Sequence, residues 1–131
     1  MAPSTTISVR LTPDERAPAD ARHVVRDALA GSEPAWRETA ALIVSELVTN
    51  ALRHGAPHPT DHIVLLVERS PESVRIEVRD PGRGATLPQF RAPQGAAGGW
   101  GLMLVERLAD RWGYAEAGGG TLVWADIGAP A

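Results

Sequence analysis

Apolar and polar positions alternate over residues 5–11, with Ile7, Val9 and Leu11 on one side, and this pattern predicts a short strand. The period then changes. Ala21, Val24, Val25, Ala28 and Leu29 recur at helical spacing, Pro18 suits a first helical turn, and Gly31 stands where a C-terminal cap belongs. A second helix is predicted over Pro34–His54, stopped by Gly55 and Pro57. Two strands follow. Ile63–Glu68 is mostly apolar, as in a central strand, whereas Val74–Arg79 alternates Val74, Ile76 and Val78 with Arg75, Glu77 and Arg79. Ser70-Pro71-Glu72-Ser73 supplies their turn. Residues 80–99 hold most of the central Gly and Pro without periodicity and read as a long functional loop. A third helix begins near Gly101 and directs Leu102, Val105, Leu108, Ala109 and Trp112 inward. Trp112–Glu116, a Gly118-Gly119-Gly120 turn and Thr121–Ile127 form a terminal hairpin.

The order β-α-α-β-β-loop-α-β-β shows neither repeat nor linker, so residues 1–131 read as one domain. Strands joined as hairpins predict an α+β fold: a two-layer sandwich with a mixed, mostly antiparallel sheet and three helices on one face. A dinucleotide-binding fold needs strictly alternating βα units and is disfavoured. Trp36, Trp112 and Trp124 are expected in or around the core, and the charged side of Val74–Arg79 on solvated sheet surface.

Composition narrows the chemistry. There is no cysteine, which excludes disulfides, thiol nucleophiles and cysteine zinc sites. No apolar run approaches a membrane span and the N-terminus lacks the pattern of a secretory leader, so a cytoplasmic protein is expected. The net charge is −3, and all thirteen basic side chains are arginine, scattered along the chain; a nucleic-acid surface is not expected. Without lysine, any phosphate must be held by backbone N–H groups, a metal or arginine.

Three segments carry candidate chemistry. In the second helix, Glu46 and Asn50 interrupt a nearly all-round apolar pattern and lie one turn apart on one face. Buried polar groups need partners. A magnesium ion bound through the Asn50 carbonyl oxygen, with phosphate and water as other ligands, would supply one; exposure at a helix edge or bonding to neighbouring backbone is the alternative. Glu46 is then placed to deprotonate a hydroxyl or water. Asp80-Pro81-Gly82-Arg83-Gly84 follows a strand directly. It reads either as an ordinary turn or as a carboxylate facing an exocyclic amine, with glycines allowing close backbone approach. Gly98-Gly99-Trp100-Gly101-Leu102 leads into a helix, where N–H donors and the helix dipole favour a phosphate, unless the glycines serve only loop freedom.

In this order and spacing the three segments resemble the N, G1 and G2 boxes of the GHKL (Bergerat-fold) superfamily, which groups gyrase, histidine kinases and MutL. SELVTNALRHG is similar to an N box, and GGWGLMLVERLADRWGY with GGGTLVWADI resembles the stand-alone ATP-binding regulators related to anti-sigma factor serine/threonine kinases. The resemblance spans nearly the whole chain. It implies Asn50 as Mg²⁺ ligand, Glu46 as catalytic base, and Asp80 as the adenine-reading carboxylate, supported by Gly82 and Gly84. It further implies a phosphate segment at Gly99, Gly101 and Leu102, with Trp100 inside it, and an adenine-side hydroxyl at Thr121. Arg53 and His54 match positions where relatives carry a basic residue near phosphate; His54 also complements a helix C-terminus.

The chain departs from parts of the superfamily. It has no phosphoacceptor helix or transducer segment, the loop from Gly84 to Gly98 implies a small ATP lid, and Trp100 is bulkier than expected there. The resemblance implies a Mg-ATP-dependent regulator that sequesters a sigma factor and phosphorylates an anti-sigma antagonist, with a homodimer as a further expectation. The alternatives are an ATP-gated protein-binding module without kinase activity and, third, a small ATPase or a domain that has lost nucleotide binding.

Overall fold

The computed structural model describes residues 4–54, 61–81, 100–117 and 120–130. Helix α1 (Ala17–Ala28) starts on a proline turn, with Asp20 in its first turn and Arg26 in its last, each matched to the helix dipole. Gly31 follows at φ +83°, the left-handed conformation that turns a chain away from a helix end. Arg69 closes the same end, donating to the Ala28 carbonyl at 2.9 Å and to the Ser32 hydroxyl at 2.6 Å. Helix α2 spans Pro34–His54, the bounds its flanking Pro and Gly predict.

Five strands follow from the period-two runs: β1 (Thr5–Leu11), β2 (Ile63–Arg69), β3 (Ser73–Asp80), β4 (Arg111–Ala117) and β5 (Gly120–Gly128). They form one sheet in the order β1-β2-β3-β5-β4, and each described pairing is antiparallel. β5 therefore inserts between β3 and β4. Helix α3 (Trp100–Leu108) precedes β4.

One sheet face and the three helices share a single core. Leu65, Val67, Ile76, Val78, Val123 and Ala125 meet Val25 and Leu29 from the α1 segment, Val44, Leu47 and Val48 of α2, and Leu102 and Val105 of α3. α2 touches α1, α3, β3 and β5, which accounts for its nearly all-round apolar pattern. α3 departs from expectation. Leu102 and Val105 are buried, but Leu108 is 37% exposed and Leu104 36%, because so short a helix has only one stripe against its neighbours.

The tryptophans divide. Trp36 is buried and donates to the Ile127 carbonyl at 3.2 Å. Trp112 is half-buried and donates to the Glu106 carboxylate, tying β4 to α3. Trp124 lies on the opposite sheet face, away from the core. There its indole covers Gly113, where an added Cβ would sit 2.8 Å from the ring, and the Arg75 guanidinium stacks 4.3 Å from the ring centroid. That face is not simply solvated. Strand register aligns Glu68, Arg75, Asp126 and Arg111 as a row of alternating charge. Arg75 donates to Glu77 at 2.9 Å and to Asp126 at 3.2 Å, and these carboxylates, Glu77 first, raise its guanidinium pKa. No helix among the described residues is long and apolar enough to cross a membrane.

Candidate functional site

Alternation along β3 buries Val74, Ile76 and Val78, and the next residue in that series is Asp80. Along β5 it buries Ile127, Ala125 and Val123, and the next is Thr121. Asp80 and Thr121 are direct cross-strand partners, only 6% and 5% exposed, on the helix-covered face. Two residues 41 positions apart, each singled out in the sequence, thus share one end of the sheet. Polar side chains at core-facing positions are costly to bury without hydrogen bonds, so such a pair requires a specific role.

Gly120, beside them, was read in the sequence only as part of a turn. An added Cβ there would sit 2.0 Å from the Asp80 carbonyl oxygen, so only glycine lets β5 start this close to the end of β3. The sole sequence signal was a glycine run ending immediately before Thr121.

Asn50 reaches the same level along α2. The helix begins at the far end of the sheet, where Trp36 bonds Ile127. From Trp36 to Asn50 it rises about 21 Å, and from Ile127 to Thr121 the strand covers about 20 Å. α2 packs on β3 and β5, so by this rise Asn50 stands near the level of the Asp80–Thr121 end. It is 7% exposed. Glu46, one turn earlier, is half-buried, and Arg22 of α1 donates to the neighbouring Ser45 hydroxyl at 2.7 Å. Asn50, Asp80 and Thr121 are joined by Asp61 as the buried polar residues among those described. Asp61 stands in Thr-Asp-His ahead of an apolar run, a setting that reads as ordinary loop.

α3 ends at the opposite end of the sheet, where the Asp110 amide donates to the Asp126 carbonyl at 2.9 Å and the Asp110 carboxylate accepts from the Gly128 amide at 2.6 Å. Its nine residues run back along α2 from there, so Trp100 and Gly101 start the helix on the Asn50 side, with Leu102 fully buried behind them. Arg53 is exposed on the last turn of α2. Gly82, Gly84 and Gly99 lie outside the described residues, as do the side chains of His54 and Trp100.

A cavity of about 400 Å³ opens elsewhere, at the far end of the sheet among Glu68, Arg69, Arg75, Asp110 and Asp126. It includes none of the candidate site residues named from the sequence. Its Arg75 and Asp126 neutralise each other, and Arg69 is engaged by α1, so this hollow is a by-product of the charged row.

The site end therefore holds a buried carboxamide on a helix and a buried carboxylate and hydroxyl paired across two strands, and α3 begins on the Asn50 side of its far-end anchor. Comparisons with known proteins bear on the fold and the family. Among solved structures, the RsbU and RsbW domains of Rv1364c from Mycobacterium tuberculosis superpose with a TM-score of 0.72 at 24% identity, covering 98% of this chain and 34% of that one. This chain thus spans about a third of that protein's length, and the likeness is one of fold. No curated protein matches. The model of the histidine kinase-like ATPase domain matches residues 10–127, a stretch containing each of the elements that build the site. The chain belongs to the histidine kinase-like ATPase domain family.

Proposed function

We propose that this domain binds Mg-ATP at the Asp80 end of the sheet and acts as an anti-sigma-type regulator, transferring the γ-phosphoryl group to a Ser or Thr hydroxyl of an antagonist protein. The observation that carries this reading is the buried Asp80–Thr121 pair at the level of Asn50. Asp80 accepts from the adenine amine, with the Thr121 hydroxyl beside it. Gly120 keeps the Asp80 backbone close enough for the two side chains to share one pocket.

The residues fit the metal. Among those described, no group of three His, Cys, Asp or Glu side chains could cage an ion, and Mg²⁺ held by one protein oxygen plus phosphates and waters needs none. Asn50 would hold it, and the bound ion would offset charge on the triphosphate. The N-terminal end of α3 supplies N–H donors and dipole to the phosphates. Glu46 accepts the proton of the incoming hydroxyl as its oxygen bonds the γ-phosphorus, while the bond from that phosphorus to the β,γ-bridging oxygen breaks and ADP departs. Its partners on this reading are a sigma factor, the antagonist and a second copy of itself; the likeness in fold to a structure that includes an RsbW domain is what favours an anti-sigma role.

Thermal unfolding with and without Mg-ATP tests the reading. Ligand at a hundredfold its Kd should stabilise the wild type by about 2.7 kcal/mol, and Asp80→Asn should remove that gain. Absence of any shift in the wild type overturns the proposal. Glu46→Gln should keep the shift and lose phosphoryl transfer, which separates a kinase from a module that only binds.

A further inference from the structure

Helices α1, α2 and α3 share the core side of the sheet, so among the described residues no helix covers the face that carries Trp124. Across that face the strand register sets Glu68, Arg75, Asp126 and Arg111 side by side, on β2, β3, β5 and β4 in turn. Their signs run minus, plus, minus, plus. The inner two satisfy each other: Arg75 donates to Asp126 at 3.2 Å, and its stacking on Trp124 holds it in place. The outer two differ. Glu68 is exposed although it stands directly opposite Arg75, which turns to Glu77 and Asp126 instead. Arg111 reaches Asp126 at 3.3 Å, yet its side chain is 78% exposed. Three strand spacings, about 14 Å, separate Glu68 from Arg111, and Arg75 and Asp126 stand between them.

An alternating row of four charges is its own complement. Consider a second copy laid face to face after a half-turn about an axis along the strands, midway between β3 and β5. Its Arg111 then stands over Glu68 and its Asp126 over Arg75, and symmetry repeats both contacts. A half-turn about an axis across the strands would instead set each charge against itself. The next row agrees with the first choice. Leu66, Glu77, Trp124 and Gly113 are aligned there, and the same half-turn lays half-buried Leu66 over the indole that covers Gly113 of the second copy. We propose that two copies of this chain associate through this face, with Glu68 of each pairing with Arg111 of the other. Sheets packed face to face stand about 10 Å apart, a gap that a glutamate and an arginine span together. The inference names the surface for the second copy in the reading above and rests on that part of the reading alone; nucleotide binding at the Asp80 end does not enter it.

Analytical ultracentrifugation of the full chain over a concentration series tests this, with circular dichroism of each variant. The wild type should dimerise, and its dimer Kd should rise with added salt, as for exposed charge pairs. Glu68→Arg and Arg111→Glu should each raise that Kd about tenfold or more, because each sets like charges together twice per dimer. An equimolar mixture of the two variants should return to within about threefold of the wild type, since each then meets its complement; a charge pair inside one chain is not restored by mixing. Variants that dimerise like the wild type overturn the inference and leave the second copy to another surface, and so does a mixture as weak as its components. Should the reversed chains fail to fold, a wild-type dimer indifferent to salt overturns it without them. A wild type that stays monomeric throughout removes the second copy itself, while a melting shift with Mg-ATP would still stand.

Discussion

The two ends of the sheet use the same strands but treat their polar groups differently. At the Ile127 end these groups are paired within the chain. Trp36 meets the Ile127 carbonyl, Asp110 the Gly128 amide, the Ala129 amide the Glu72 carbonyl at 2.8 Å, and Asp126 both Arg75 and Arg111. At the Asp80 end, buried polar side chains continue the rows that hold Val and Ile lower down. On the nucleotide reading proposed above, the first end secures the fold, and the second, whose polar side chains occupy core-facing positions, takes the ligand. Stability and affinity should then be separable by substitution.

The largest effect is expected at the secured end. Trp36→Ala removes a buried indole and its hydrogen bond, and should cost about 3–5 kcal/mol. Mg-ATP affinity measured well below the melting temperature should stay near wild type. A parallel fall in affinity would break the separation of the two ends. Gly120→Ala comes next. Its methyl group meets the Asp80 carbonyl, so about 1–3 kcal/mol should be lost, and with it, unlike Trp36→Ala, the stabilisation by Mg-ATP. Retained ligand stabilisation would show that the close approach at Gly120 does not shape the site. The smallest effect belongs to Glu38→Gln, in the early turns of α2. The hydrogen bond from Arg26 holds the Glu38 carboxyl below its ordinary range on an exposed surface. A lowered pKa stabilises above the unfolded carboxylate value and ceases to do so as pH falls through the folded value. The wild type should therefore melt only slightly higher than Glu38→Gln at neutral pH, and at the same temperature once Glu38 is protonated in both states. Nucleotide binding should not change, and melting curves across the acid range check this.

Much of this organisation was legible in the residues. Pro34, Gly55 and Pro57 fix α2 because their backbone limits are local. Alternation located the strands for the same reason. Asn50 and Asp80 stood out because each interrupts or ends an apolar pattern. Four features were not legible. The exposure of Leu108 depends on how little of α3 its neighbours cover, which spacing does not encode. Trp124 looks like a core residue until the register of β5 turns it to the other face, onto Gly113. The need for glycine at position 120 and the burial of Asp61 arise only when distant segments meet, so a glycine run and a loop aspartate concealed them.

The insertion of β5 between β3 and β4 also orders events in time. Until residues 120–128 have been synthesised, β4 has no strand to join and β3 presents an open flank, as transiently exposed strand edges do on nascent chains. Asp80 acquires Thr121 as its neighbour only when that gap is filled. Competence to take up ligand should accordingly emerge in one late step with closure of the sheet, so that a ribosome-bound chain stalled before Gly120 would be blind to nucleotide.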